Sequence, residues 1–169
     1  MQIARDFSTL QRSSDPVALT IGSFDGVHAG HKYLFSQMAT LAPTRLVTTF
    51  ETLPINYFRP ELNIPQLTTL EEKLTLLEQA GVDLVLLLPF NKEIATLTYK
   101  EFLQKIYHHC PFNHLVLGKG AAFGKDAQGN EENIRIFSEQ LHFTPHYIEK
   151  FLVDGRPLSS RRLREEKFN

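Results

Sequence analysis

Short apolar runs alternate with amphipathic stretches along almost the whole chain. The run VDLVLLLPF (82–90) is apolar at nearly every position, which is typical of a strand covered on both faces in a parallel sheet. The run TRLVTTF (44–50) is rich in β-branched residues, which also favour strands. Together the apolar runs predict strands over 16–24, 44–50, 82–90, 114–120 and 144–151.

Helical periodicity fills the intervals between these runs. Thr69 to Glu72 and Thr98 to Glu101 are capping boxes, in which a threonine and a glutamate three residues later pair at a helix start. Gly81 ends the helix that the first box opens. Apolar spacing predicts helices over 28–41, 69–80, 98–107 and 131–141, and one more opening in SSRRLREE (159–166). The buried stripe predicted for the second of these helices is Leu70, Leu74, Leu77 and Ala80.

The remaining segments carry turn and loop chemistry. The segment 51–66 holds three prolines and is predicted to be a loop, as is the glycine-containing segment 124–130. VDGRP (153–157) is predicted to be a turn. Strands and helices therefore alternate, which predicts one α/β domain over 1–169: a doubly wound, mainly parallel sheet with helices on both faces. Ligands of such sheets bind at the carboxyl ends of the strands.

Composition and charge remove several classes of function. Hydrophobic residues make up 42% of the chain, charged residues 22%, and the net charge is -1, so nothing points to nucleic acid or a membrane surface as a partner. No apolar run reaches the ~20 residues of a membrane helix, and the N-terminus does not resemble a secretory signal. Cys110 is the single cysteine, which excludes disulfide scaffolds and predicts a cytoplasmic protein.

The densest group of chemical residues is IGSFDGVHAGH (21–31), which follows the first predicted strand. Its glycines allow sharp turns and a close approach of the backbone to a ligand. A helix beginning near Val27 would point free N–H groups and its positive dipole end at the same place. His28 and His31 share one face of that helix, and Gly30 leaves space beside them. This pattern predicts a phosphate site in which imidazoles bind oxygens and stabilise charge on leaving pyrophosphate.

Other interpretations of this loop differ in how much chemistry they assign. The glycine spacing matches neither the Walker loop nor the dinucleotide fingerprint. A tight turn with two surface histidines is one alternative. A metal site built from Asp25, His28 and His31 is another, although no further cluster with metal-ligand spacing accompanies it.

The segment GSFDGVHAGH resembles the signature of nucleotidylyltransferases with a His-x-Gly-His motif. Four more segments match, in order, the FMN adenylyltransferase module of bacterial bifunctional FAD synthetases, and the likeness covers nearly all the chain. They are VTTFE (47–51), LTTLEEKLTLLEQAGVDLVLLLPFN (67–91), LVLGKGAAFGKDAQGN (115–130) and DGRPLSSRRLRE (154–165).

The resemblance implies a Rossmann-like nucleotidylyltransferase that joins ATP and FMN, with Mg²⁺ as Mg-ATP, to give FAD and pyrophosphate. It also implies a riboflavin kinase module, which these 169 residues do not contain. The implied catalytic residues are His28, His31 and Arg164. Nucleotide binding is assigned to Gly22, Phe24, Asp25, Gly30, Ser159 and Ser160, and a substrate loop to Gly118, Phe123, Asp126 and Arg161. No metal ligand is assigned. Without the resemblance, SSRRLREE would be interpreted as a capped, solvated surface helix.

The chain departs from the pattern of this family at three places. Thr52 and Leu53 replace proline and histidine, Gly120 and Ala121 replace an acid or amide and a phenylalanine, and Arg161 replaces threonine. These changes motivate two alternative hypotheses. One is a nucleotide- or flavin-binding module with weakened turnover, and the other is a sister adenylyl- or cytidylyltransferase that uses another phosphorylated acceptor.

Overall fold

Parallel strands joined by helices build the protein, whose computed structural model describes residues 1–169. The strands are β1 Gln2–Ala4, β2 Val17–Ile21, β3 Thr44–Phe50, β4 Leu84–Leu88, β5 His114–Gly118, β6 Thr144–Ile148, β7 Leu152–Val153 and β8 Arg156–Pro157. The α-helices are α1 Ala29–Leu41, α2 Pro54–Phe58, α3 Leu70–Gln79, α4 Lys92–Thr96, α5 Tyr99–His109, α6 Glu131–Leu141 and α7 Ser160–Phe168. Short 3-10 helices occupy Phe7–Thr9, Pro60–Leu62 and Lys125–Ala127.

Six strands form one sheet in the order β1-β4-β3-β2-β5-β6, and every pair in it is parallel. The chain runs outward from β2 through β3 to β4 and then returns to place β5 on the other side of β2. The strand order therefore reverses between β2 and β5, and the crevice at such a point is where ligands of doubly wound sheets bind. This architecture confirms the predicted α/β class.

Both faces of the sheet are covered by helices. One core cluster of 21 buried residues packs helices α4 to α6 on the sheet, through side chains such as Leu103 and Ile134. A second cluster of 13 buried residues packs α1 and α3 on the opposite face, through Phe35, Met38 and Leu77. Burial on both sides explains why β4 is apolar at all five positions. None of the helices combines the length and apolar character needed to cross a membrane.

Several predicted elements are confirmed, because the signals that define them are local. Strand β3 and helix α6 have the predicted bounds, and both capping boxes form as expected. The turn at 153–157 joins β7 and β8 in a hairpin. The other strand predictions are correct in position but extend beyond the observed ends.

Other expectations are wrong in detail. The segment 51–66, predicted to be a loop, contains α2 and a 3-10 helix, because Pro54 and Pro60 each occupy a first turn, where no N–H is needed. The segment 124–130 likewise contains a 3-10 helix. The three-residue edge strand β1 and the one-turn helix α4 were not predicted. In α3 the fully buried stripe consists of Leu77 and Lys73, whereas Leu70, Leu74 and Ala80 are only partly buried.

Candidate active site

The loop between β2 and α1 lies at the reversal point of the sheet, beside the loop that follows β5. Two of its buried residues, Phe24 and Val27, adopt left-handed backbone angles, with φ of 46° and 42°. Gly26 has φ of +82°, and a Cβ there would lie 2.9 Å from a methyl carbon of Leu67. Left-handed non-glycine residues carry strain that concentrates at functional sites. The surrounding structure therefore holds the loop in a strained backbone conformation.

His28 caps helix α1 with its side chain. Its Nδ1 accepts hydrogen bonds from the backbone N–H groups of Gly30 (3.1 Å) and His31 (3.4 Å). In a neutral ring the proton is then on Nε2, which leaves that N–H free to donate elsewhere. The His31 ring stacks on the His28 ring, with centroids 3.6 Å apart and planes at 19°. The two histidines thus form one unit at the positive end of the helix.

Gly30 makes this arrangement possible. A Cβ at position 30 would lie 3.0 Å from Cε1 of His28 and 3.1 Å from its Nδ1. Glycine was predicted at this position to leave room beside the histidines. In the structure, any side chain at position 30 would press on the His28 ring.

Both imidazoles are held neutral by their surroundings. Burial, followed by repulsion from His28 when that ring is protonated and from the Lys73 ammonium, lowers the pKa of His31 to about 3. Burial also lowers the pKa of His28, against the attraction of Asp25. His31 Nδ1 is buried without a hydrogen-bond partner. Neutral rings can donate N–H groups to phosphate oxygens at neutral pH, but they do not add positive charge.

The low pKa of His31 predicts a loss of stability in acid. The unfolded chain takes up a proton near the ordinary pKa of about 6.5, whereas the folded protein does so near about 3. The stabilisation is complete above pH 6.5 and is lost as the pH falls towards 3, at up to ~1.4 kcal/mol per pH unit. Urea unfolding at pH 7, 6 and 5 measures this slope. It should be smaller in His31→Gln and unchanged in the exposed-site control His108→Gln; equal slopes in all three proteins would refute this role for His31.

Asp25 connects the loop after β2 to two other segments, residues 67–68 and helix α7. Its carboxylate is 4% exposed and accepts hydrogen bonds from the N–H groups of Leu67 (3.0 Å) and Thr68 (3.4 Å). It also binds Nη2 of Arg164 at 2.8 Å, across 139 positions of sequence. Ser160 Oγ donates to the Asp25 backbone carbonyl at 2.8 Å. Helix α7 is therefore fastened to the loop through this residue.

This use of Asp25 contradicts the metal interpretation of the loop. The Asp25 carboxylate is committed to Arg164 and to two N–H groups, and it does not line either cavity described below. No group of three or more His, Cys, Asp or Glu side chains in the structure is arranged to hold a metal ion. A site made from Asp25, His28 and His31 is not formed.

A cavity of about 490 Å³ brings the first and last motifs of the chain together. His28, Gly30 and His31 line it from α1. Ser159 and Ser160 line it from the start of α7, where Ser159 caps the helix by accepting from the Arg162 N–H at 3.1 Å. Gly118, Lys119 and Gly120 line it from the end of β5 and the loop that follows, and residues 148–151 line it from the end of β6. Two helix N-termini thus border one cavity, as suits an anionic ligand. We call it the polar cavity.

A second cavity of about 520 Å³ lies beside the same loop, and eleven of its sixteen lining residues are hydrophobic. Gly22 and Ser23 form one side, and Ala121 lines both cavities, so the two adjoin. Phe123 and Asp126 of the predicted substrate loop also line it. Its aromatic lining residues are Phe50, Phe58, Phe90, Phe102 and Phe123. We call it the apolar cavity.

Some predicted site residues stand behind the cavities and do not line them. Phe24 is buried and packs edge-to-face on His31, with ring centroids 5.0 Å apart. Arg164 is bound to Asp25, with its Nε buried and unpartnered. The Arg161 side chain is 87% exposed and pairs with Glu165, so the solvated-helix interpretation describes that part of α7. Among the family departures, Leu53 is buried at the start of α2.

Sequence reasoning did not find the aromatic wall of the apolar cavity or the buried Lys73. Phe58 and Phe90 come from separate elements, and their proximity depends on the tertiary fold. Lys73 could have been recognised, because it lies three residues after Leu70 and four before Leu77, on the face of α3 predicted to be buried.

The fold and the site together are those of a doubly wound α/β protein in which paired histidines at the N-terminus of α1 share one cavity with the N-terminus of α7. Its sequence matches the FAD synthetase family over residues 10–162. The chain belongs to the FAD synthetase family.

Curated relatives agree with this assignment. The chain is 31% identical to the bifunctional riboflavin kinase/FMN adenylyltransferase of Haemophilus influenzae, covering 100% of this chain and 56% of the relative. It is 30% identical to the protein of the same name in Escherichia coli, covering 98% and 55%. The chain thus spans about half the length of these curated relatives.

Two structural similarities concern the fold alone. A structure described as a macrolide-efflux protein from Streptococcus pneumoniae superposes with a TM-score of 0.83 at 22% identity, covering 96% of this chain and 54% of that one. Pantothenate synthetase from Thermus thermophilus gives 0.71 at 17% identity, covering 96% and 67%.

Proposed function

We propose that this chain transfers the AMP moiety of ATP to FMN, giving FAD and pyrophosphate. One observation carries the proposal: the stacked pair His28 and His31 borders a polar cavity that adjoins a separate apolar cavity at the reversal point of the sheet. Membership of the FAD synthetase family and the names of the relatives support it.

The two cavities suit the two substrates. The polar cavity receives ATP, with its phosphates between the N-termini of α1 and α7. The apolar cavity receives the flavin ring of FMN against Phe50, Phe58 and Phe90, and its volume falls in the usual range of small-molecule sites. The cavities meet at Ala121, where the FMN phosphate approaches the α-phosphorus of ATP.

The reaction needs positioning and charge stabilisation more than covalent chemistry. An oxygen of the FMN phosphate forms a bond to the α-phosphorus, the bond to the bridging oxygen breaks, and pyrophosphate leaves with that electron pair. The Nε2–H of His28 donates to phosphate oxygens, because its Nδ1 is occupied by the helix N–H groups. His31 lies against it and lines the same cavity. No intermediate on the protein is required.

Helix α7 supplies the far side of the polar cavity. Ser159 and Ser160 lie at its N-terminus and face the nucleotide phosphates in this proposal. Arg164 holds the helix in place through Asp25, and a direct phosphate contact requires its guanidinium to leave that carboxylate. Magnesium is assigned to the substrate, as Mg-ATP, because the chain offers no cluster of acidic and histidine ligands.

The relatives' names also include riboflavin kinase, and this chain matches only about half of their length. We therefore assign adenylyl transfer alone to these residues and propose that a riboflavin kinase domain accompanies them in the full-length protein. A cytoplasmic location is also proposed, because the single cysteine, Cys110, is buried and free.

Substrate choice tests this function against its alternatives. The purified chain is incubated with magnesium and either ATP or CTP, together with FMN, riboflavin or another phosphorylated acceptor, and the products are separated chromatographically. We expect product from ATP with FMN, and none from riboflavin, which lacks the attacking phosphate. Faster transfer to another acceptor or from CTP would identify a sister transferase. Tight binding of ATP or FAD in calorimetry without any product would identify a binding module.

The close contact at Gly30 yields a further prediction. In Gly30→Ala the new methyl group presses on the His28 ring, which must shift by a few tenths of an ångström. Since misplacing a catalytic group by about 1 Å can cost ~100-fold, we expect FAD formation to fall ~3-fold. Alanine favours a helix over glycine by about 1 kcal/mol, so the unfolding temperature should not fall with it. Steady-state rates and thermal unfolding measure the two effects. Unchanged activity would show that the ring position is not critical.

A further inference from the structure

Lys73 is a buried lysine whose ammonium is fully hydrogen bonded. It lies on α3 and is only 6% exposed. Its Nζ donates to the Phe50 carbonyl (2.6 Å), the Ser23 carbonyl (3.1 Å) and Thr49 Oγ1 (3.3 Å). An ammonium group has three N–H donors, and each has an acceptor here. Burying such a group is costly, so an apolar residue on this stripe would be the simpler choice for packing alone.

The three acceptors lie at the ends of neighbouring strands. Thr49 and Phe50 are the last residues of β3, and Ser23 lies just after β2, in the loop between β2 and α1. The Thr49 hydroxyl also donates to the Ser23 carbonyl at 3.0 Å. Both Ser23 and Phe50 line the apolar cavity. Lys73 therefore joins the two strand ends from behind the cavity wall.

The charges around Lys73 connect it to the histidine pair. Asp25 in the loop attracts its ammonium, and the Asp25 carboxylate is shared with Arg164 of α7. On α1, the positive charge of Lys73 helps to lower the pKa of His31. The ammonium thus acts on the loop through hydrogen bonds and on His31 through its field.

We propose that Lys73 is a positioning residue for adenylyl transfer, whose ammonium holds the loop after β2 against the end of β3 and so fixes the wall of the apolar cavity and the approach to His28. This inference rests on the proposed function. It predicts that Lys73 affects mainly the apolar cavity, which receives FMN in the proposed function. The polar cavity shares only His28 with that loop, and the rest of its lining comes from other elements, chiefly α1, α7 and the segments that follow β5 and β6.

Steady-state kinetics of Lys73→Met test the proposal. The matched control is Lys105→Met, at an exposed position of α5 on the opposite face of the sheet. We expect kcat to fall ~10- to 100-fold and KM for FMN to rise, with a smaller change in KM for Mg-ATP.

Burial lowers the pKa of Lys73 to about 8, against the attraction of Asp25, so the wild-type rate should decline above pH 8. Lys73→Met should lack that decline, and Lys73→Arg, with a permanent charge, should keep partial activity and move the decline to higher pH.

Hydrogen exchange keeps the test independent of the reaction. Amides of residues 22–28 should exchange faster in Lys73→Met than in wild type or Lys105→Met. If the wild type makes no FAD, the proposed function fails and the exchange result alone decides the role of Lys73. The proposal would be overturned if Lys73→Met matched the wild type in its kinetics, its pH profile and its amide exchange. If Lys73→Met does not fold, a wild-type pH decline in Lys73→Arg would overturn it.

Discussion

Replacing His28 with alanine is expected to lower the rate of FAD formation by ~10²- to 10³-fold, the usual cost of removing one preorganised donor from a charge-developing site. The ring borders the polar cavity, and its Nδ1 is fixed by two helix N–H groups, which leaves Nε2–H for the phosphates. Because the ring is already neutral and oriented, little reorganisation accompanies the reaction.

The same side chain also caps α1, so stability and catalysis must be separated. Asparagine is an effective N-cap, and His28→Asn should therefore keep the unfolding temperature close to wild type while losing most of the activity. His108→Ala, at an exposed position of α5, is the matched control and should leave the rate unchanged. Equal activity of wild type and His28→Ala would exclude the proposed role of His28.

Replacing Asp25 with alanine is expected to reduce the free energy of unfolding by about 3–5 kcal/mol, the usual cost of breaking a buried ion pair from one side. The change leaves Arg164, only 18% exposed, without its carboxylate, and leaves two backbone N–H groups of the 67–68 segment without an acceptor. Urea unfolding measures the loss. Activity should also fall, because α7 loses its link to the loop.

An exposed ion pair on α7, the helix that carries Arg164, is the control for that experiment. Arg161 and Glu165 are both exposed, and Arg161→Ala should change stability by only ~0.3–0.5 kcal/mol. A double-mutant cycle with Asp25→Ala and Arg164→Ala should show strong coupling between the two positions. A loss in Asp25→Ala no greater than that in Arg161→Ala would contradict the structural importance of this ion pair.

Features set by neighbouring residues could be predicted from the sequence. The capping box at Thr69 and Glu72 formed because both partners lie within one turn. The β-branched run 44–50 became β3 with the predicted bounds, in the interior of the sheet. The loop that carries His28 and His31 was recognised by its glycines and its position after a buried strand, and this is sufficient to predict an anion site at a sheet edge.

Features that depend on distant residues could not be predicted in this way. Asp25 was assigned to nucleotide binding, but its carboxylate binds Arg164, which lies 139 positions away in the sequence. The apolar cavity is assembled from several elements, none of which has a distinctive pattern alone. Lys73 has a local sign, a lysine on a buried stripe, but its acceptors are backbone carbonyls, and no residue type in the sequence marks them.

The central claim is that the chain itself joins FMN to AMP at the histidine pair. The most direct measurement is the amount of FAD and pyrophosphate formed from Mg-ATP and FMN by wild-type protein and His28→Asn at equal concentration. The proposed function predicts that the wild type forms the two products in equal amounts and that His28→Asn forms at most about one hundredth as much per unit time. No FAD from the folded wild-type chain, or equal rates from both proteins, would contradict it.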